Sequence, residues 1–547
     1  MTQRRVVECD VCIIGSGISA AMVAEKLAGT RATVVVVEAG AEQPGPSQFA
    51  ALRQRFLRYG ENPWPRDHID GLGAAGIQSR SMCVGGLAMH WGGVTPRFSP
   101  EDFKTQSLFG VGTDWPITYD DLDPWYQEAE ELMGIAGEQG PPDLDPRGRP
   151  FPLPAIPLTW NLERLKSWAA SAGIPTWSQP SAKLTVARGT RGACCRNDTC
   201  FPVCPTGAKY APDMTWRTLR ASRRVDLHPM TLVRRLRLSP NGTRIEAAEA
   251  VRRGASGADT PVEYRARTFV LAAGYVWSSY LLLLSRQARF PNGLANSSGL
   301  VGKYLTGHRN VQAFISLPMK LYPGINEQHS LVTKHFMRRP RVAKYVRHDL
   351  RLWESSVGRA PRLADDGGKL LLGDEVMADW RARTLEGTAR VRGYYDIVPD
   401  RESALTLDGA RKTPFGDPAP VITMRDAPVS RELRGFSEDT VRGVFTELAR
   451  AGNGKVLRTS VDDFQDHPGG GCRMGTDAAT SVVDSFGRTH DHENLFVVGA
   501  PTIVSSSCAN GTLTFCALAL RAGGEVARGV GGSGGRGVGG SGGRGND

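Results

Sequence analysis

The 547-residue sequence has no apolar run approaching the length of a bilayer crossing, so no transmembrane segment is expected. It also has no room for a secretory leader, because MTQRRVVECDVCIIG passes directly into a strand pattern. That lack gives the expectation of a cytoplasmic protein, with periplasmic co-export beside a signal-bearing partner as the alternative. No Arg-rich helix or aromatic-studded basic strand is present, and the basic residues are scattered. The formal charge of +11 is therefore not read as nucleic-acid binding. The denser basic stretch from His335 to Arg362 reads as a solvated face or a dock for an acidic electron-transfer partner. There is no internal repeat apart from RGVGGSGG, which occurs twice from Arg528 and predicts a disordered tail over 528–547.

Cysteine is scarce and uneven. Cys9, Cys12, Cys83, Cys472, Cys508 and Cys516 are dispersed among apolar or glycine-rich segments, as reduced core thiols are. The other four, Cys194, Cys195, Cys200 and Cys204, are packed into CCRNDTCFPVCP, a density that suits a metal site or local disulfides.

What the sequence does contain begins with VCIIGSGISAAMVAEKLAG followed by ATVVVVEAG, which reads as strand, tight glycine turn, helix and second strand. Further strands are expected from VDLHPMTLVRRLRLS and ARTFVLAAG, a helix after Gly274, another buried strand in HENLFVVGAPTIVSSS, and a closing helix in GTLTFCALALRAGGEVA. Between Val301 and Asp463 this periodicity is lost. The expected fold is α/β, α+β overall, with a Rossmann-like lobe and a second, mixed-sheet substrate lobe.

Gly15, Gly17 and Ala20 form GxGxxA directly after the first strand, where missing side chains let backbone N–H groups and a helix N-terminus approach a pyrophosphate. Ser19 lies on the same turn. Glu38 ends the next strand, where a carboxylate can accept hydrogen bonds from ribose hydroxyls.

CVGGLAMHWGGVTPRF from Cys83, DHPGGGCRMG from Asp466 and the block from Val482 to Thr514 resemble signature regions of the glucose-methanol-choline (GMC) oxidoreductases. The resemblance implies FAD as cofactor, bound by Gly15, Gly17, Ser19, Ala20, Glu38, Gly85, Gly86, His90, Val233, Ala273, Asn510 and Thr512. It implies a discontinuous FAD-binding domain over 1–100, 205–300 and 464–527, a linking segment over 101–204 and a substrate-binding domain over 301–463. His467 matches the family's proton-accepting histidine, a role that needs a neutral imidazole. Asn510 matches the position that shares and orients the substrate hydroxyl. Gly511 stands where many relatives carry proline. In pyranose oxidase, which GGLAMHW also resembles, the residue matching His90 is bonded to the flavin. Here Met89 replaces the family's threonine, which leaves that bond open.

Cys195-x4-Cys200-x3-Cys204-Pro205 followed by TGAKY resembles the iron–sulfur segment of bacterial sugar dehydrogenases, including glucose dehydrogenase and glucoside 3-dehydrogenase. The resemblance implies a 3Fe-4S cluster on Cys195, Cys200 and Cys204, with Cys194 spare or a substitute ligand. Zinc, disulfides and unliganded thiols remain alternatives. The activity expected from the whole pattern is oxidation of a secondary alcohol on a sugar, glycoside or cyclitol, at C3 in one form of the expectation. Electrons would leave through the cluster to an external acceptor, a cytochrome or quinone, with a small partner subunit. An oxygen-using pyranose or glycoside oxidase without a cluster is the alternative, as is a flavin-bearing electron-transfer subunit without alcohol chemistry.

Overall fold

The computed structural model describes residues 5–64, 81–197, 199–254, 259–322, 329–338, 345, 347–354, 362–365 and 367–531. The strand Arg5–Ile14 runs into the helix Ile18–Ala28 and returns as the strand Val34–Val37. All four valines of that second strand are buried, as expected for a parallel strand covered on both faces. Five strands of the seven-stranded sheet are parallel: Asp226–His228, Val34–Val37, Arg5–Ile14, Asp259–Leu271 and Leu495–Val497. The hairpin Thr231–Leu238 and Ile245–Arg253 adds two antiparallel strands on the lower part of Asp259–Leu271. The sequence's strand and helix expectations for this region are met, including the helix Gly274–Leu284.

The first helix packs on the last one, Thr512–Gly531. An added Cβ at Gly523 would lie 3.1 Å from Val23 Cα, so a glycine there lets the two backbones come close. Arg528–Gly531, counted above with the tail, belong to this helix. The rest of the tail lies outside the described residues. Among the described residues no helix is long and apolar enough to cross a membrane.

The second sheet has six strands, all paired antiparallel, in the order Lys455–Gly469, Thr306–Leu317, Gly387–Asp396, Leu350–Glu354, Leu331–Thr333 and Trp177–Ser178. One face carries Val311, Ala313, Ile315, Leu350, Leu352, Ala389 and Val391 into a core with the helix Pro428–Ala451. Strand alternation therefore sends His308, Arg351 and Tyr394 to the opposite face. The basic stretch is thus not simply a solvated surface. Arg347 is buried and paired with Asp102 at 2.9 Å, and Arg351 is buried and paired with Asp349 at 2.7 Å. A buried guanidinium needs such a partner to offset its desolvation.

Candidate active site

The two glycine-bearing turns meet at the C-terminal edge of the parallel sheet. Gly15 sits at φ +99°, a conformation that only glycine adopts without strain. A Cβ there would lie 2.7 Å from the Ala272 carbonyl oxygen, so this position is glycine because the neighbouring strand end is too close. Gly17 differs, because a Cβ on it would meet nothing within 4 Å. A Cβ on Gly86, at φ +57°, would lie 3.3 Å from Gly17 Cα, so the two turns form one narrow cradle of bare backbone.

Glu38 fastens this cradle. Its Oε2 accepts from the Ser16 backbone N–H at 3.0 Å and from the Ser16 hydroxyl at 2.6 Å, and its Oε1 accepts from the Gly40 N–H at 2.7 Å. The Gly85 N–H donates to Ser16 Oγ at 3.1 Å, and the Trp216 indole donates to the Ser16 carbonyl at 2.7 Å. Burial raises the Glu38 pKa above the usual carboxylate value, against these hydrogen bonds, which lower it. Ser16 and Trp216 were not singled out from the sequence. The serine lies inside GSG and was legible there as a side chain that can face the turn, whereas the tryptophan carries no local signal.

The cradle opens into a cavity of about 480 Å³. Of the residues read from the sequence, Gly15, Gly17, Ser19, Glu38, Gly86, His90, Val233, Ala273, His467, Asn510 and Thr512 line it. Ala20 and Gly85 do not. Ala20 is fully buried in the helix–sheet core, and Gly85 stands behind the cradle on the Ser16 hydroxyl. A cavity of this size with a side-chain-free turn and a helix start, Thr512, at its wall fits a dinucleotide such as FAD. Gly511, the departure from proline, packs under Phe515, whose ring atoms would lie 2.6 Å from a Cβ at that position.

In the wall of this cavity His467 and Asn510 are in direct contact, Asn510 Nδ2 to His467 Nε2 at 2.6 Å. The other ring nitrogen of His467 lies 2.9 Å from His308 Nε2, and His308 Nδ1 lies 3.1 Å from the Ser507 carbonyl oxygen. Arg351 donates to Asn510 Oδ1 and, through Nε, to Asp349 at 2.7 Å. Tyr394 lies against the His308 ring, with centroids 4.3 Å apart. His467 and Ser507 both have positive φ, +50° and +59°, which costs a non-glycine residue about 1–3 kcal/mol and aims their polar groups here. His308 and Arg351 escaped the sequence reading, since only the register of the second sheet brings them to the base.

The cysteine cluster departs from its expected arrangement. Cys195 is exposed, whereas Cys200 and Cys204 are buried. Cys195 Sγ accepts from Asn197 Nδ2 at 3.0 Å, Cys200 Sγ faces the Asn197 carbonyl and Cys204 Sγ the Thr206 hydroxyl. Cys194 is half-buried against Ala136, Leu153, Ile156 and Leu184, and burial pushes its thiol pKa up, against the Arg196 N–H and Lys183, which lower it. Among the described residues no three His, Cys, Asp or Glu side chains are grouped to hold a metal ion. The set Cys195, Cys200 and Cys204 therefore does not fit a cluster as arranged, because the backbone turns Cys195 outward. All ten cysteines are free thiols, so local disulfides are not formed either. The loop still touches the cavity. Phe201 lines it, and the buried Lys209 ammonium donates to the carbonyls of Cys200, Trp91 and Met89 at 2.7, 2.8 and 3.3 Å.

Residues 399–519 match the family model described as GMC oxidoreductase. The chain is 28% identical to the fructose dehydrogenase large subunit of Gluconobacter japonicus, over 94% of this chain and 96% of that protein. It is 29% identical to paromamine 6'-oxidase of Streptomyces fradiae, over 95% and 91%. The solved structure of pyridoxine 4-oxidase from Mesorbium loti superposes with a TM-score of 0.60 at 19% identity, covering 94% of this chain and 99% of that one. Residues 399–519 thus match the GMC oxidoreductase model, and along nearly its whole length the chain is similar to a fructose dehydrogenase subunit and a paromamine oxidase.

Proposed function

We propose that this protein oxidises a secondary alcohol of a sugar or sugar-like compound to the ketone, with His467 as the base that takes the hydroxyl proton. The observation that carries this reading is the contact between His467 Nε2 and the Asn510 amide at the cavity wall, a donor and an acceptor side by side where an alcohol can enter. The bare backbone at Gly17 and Gly86 and the start of the helix at Ile18 would hold the pyrophosphate of FAD, the start of the helix at Thr512 would face its flavin, and Val233 and Ala273 would border its adenosine half. When bound, the flavin supplies the hydride acceptor.

The chain's own part is positioning and proton transfer. Asn510 Nδ2–H donates to the entering hydroxyl oxygen and His467 Nε2 accepts its proton, which fixes the carbinol C–H in one direction and raises electron density on that carbon. The apolar walls, Leu87, Trp91 and Phe201 among them, limit water beside the reacting centre. The names of the relatives, a fructose dehydrogenase large subunit and a paromamine 6'-oxidase, support a sugar-like substrate. The first also supports a partner subunit.

Electrons then pass to an external acceptor rather than to oxygen. The test of the reaction is an anaerobic titration of the holoenzyme with a panel of sugars, glycosides and cyclitols. Bleaching of the flavin by one of them, with a keto-sugar as product, is the expected result, and no bleaching by any alcohol would end the proposal. Iron and acid-labile sulfide in protein prepared without oxygen test the cysteine loop separately. Stoichiometric iron would restore a cluster and require the loop to rearrange.

A further inference from the structure

We infer that His308 is a positioning residue that fixes the proton on Nδ1 of His467 and so keeps Nε2 bare as the base. This rests on the reading that His467 accepts the substrate proton. The inference follows from the polarity of one hydrogen-bond chain, read independently from its two ends.

At the first end stands the Ser507 carbonyl, which can only accept. His308 Nδ1, 3.1 Å away, must therefore carry a hydrogen. A neutral His308 then has a bare Nε2. Its partner at 2.9 Å, His467 Nδ1, must be the N–H that donates, and His467 Nε2 is left with its lone pair.

At the other end stands Arg351, whose guanidinium can only donate. It points at Asn510 Oδ1, which fixes the amide with Nδ2 toward the imidazole. An amide N–H can only donate, so His467 Nε2 must accept. The two ends share no atom and give the same answer. A doubly protonated His308 would reverse the first end, forcing hydrogen onto His467 Nε2 against the Asn510 N–H at 2.6 Å. The Arg351 end thus excludes that state of the pair.

The surroundings make the chain stiff. His308 is fully buried, and Tyr394 covers its ring. Asp349 holds Arg351 through Oδ2 at 2.7 Å and takes the Tyr394 N–H through Oδ1 at 2.7 Å. The positive φ of Ser507 belongs to the same device, since it presents the terminal carbonyl to His308.

The experiment compares His308→Leu and His308→Gln in holoenzyme with the substrate found by titration. Leu removes both ring contacts, so His467 is free to take the wrong tautomer. Gln spans a similar distance and can donate to the Ser507 carbonyl while accepting from His467 Nδ1–H. The Leu variant should reduce its flavin about 10–100-fold more slowly in a single anaerobic turnover, with KM and flavin content unchanged, and Gln should recover most of that loss. Nitrogen NMR of histidine-labelled protein should show Nδ1-protonated His467 in the wild type and in His308→Gln, and a tautomer mixture in His308→Leu. The His467→Ala spectrum assigns the signal. A wild-type rate in His308→Leu, or equal impairment of Leu and Gln at full flavin content, would overturn the inference. If His467→Ala itself reduces flavin at the wild-type rate, the proposed base fails instead, and the two failures are distinguished.

Discussion

The glycine cradle and the base in the wall of the same cavity are built by different means. The cradle is mostly local: Gly15, Ser16, Gly17 and Glu38 lie within one strand–turn–helix–strand unit, Gly86 closes it from a second turn, and what they provide is backbone with nothing on it. The base is assembled from four distant segments, with His308 159 residues from His467 and Arg351 159 residues from Asn510. What it provides is a direction of hydrogen bonds. The cradle should therefore respond to the size of an added side chain, and the base to its donor and acceptor character.

The largest effect should come from His467→Ala, which retains FAD but loses about 10²–10⁴-fold in the rate of flavin reduction, read by anaerobic stopped-flow absorbance. Asn510→Ala should cost less, because the base survives and only alignment suffers; an equal loss in the two variants would mean that the roles are wrongly divided.

The cradle can be broken in two separable ways. Gly17→Val places its side chain in open cavity, so the protein should fold with a near-normal melting temperature yet purify with little flavin, read as the ratio of 450 to 280 nm absorbance. Gly15→Val instead meets the Ala272 carbonyl and a positive φ, the latter alone worth about 1–3 kcal/mol, so its melting temperature should fall whether or not FAD is added. Identical behaviour of the two variants would erase the distinction between space for a ligand and space for a strand.

The smallest effect concerns Asp213, in the first turn of Pro212–Ala221, whose pKa burial pushes up to about 6. A raised folded-state value means that the native form favours the protonated acid, so its stability contribution is present at low pH and is lost as pH rises through about 6. Asp213→Asn does not titrate. Relative to the wild type it should gain about 1–3 kcal/mol between pH 5 and pH 8 in urea melts, and a gain of the opposite sign would refute the assignment.

Much of this was legible in the chain. The apolar run in VCIIG, the glycines after it and the all-valine strand announce the first unit, because each signal is local. His467 and Asn510 were found through motifs around them. The reasons for individual residues were less legible. Gly15, expected to leave space for a pyrophosphate, also leaves space for Ala272, and Glu38, expected as a ribose acceptor, also clamps Ser16 and Gly40. His308 and Arg351 are invisible without the register that sets Arg351 beside Arg392 and His308 beside Asp396. Cys195 was preferred over Cys194 on spacing alone, although the turn after a vicinal pair decides which thiol faces inward.

The packing of Ile18–Ala28 against Thr512–Gly531 also dictates when the protein can be finished. About 490 residues separate the two helices, which at ordinary translation speeds is about 25–100 s of synthesis. During that interval the cofactor cradle has emerged from the ribosome without the helix that closes it. An element made early is thus completed only by one made late, and flavin loading belongs after Thr512–Gly531 has been synthesised.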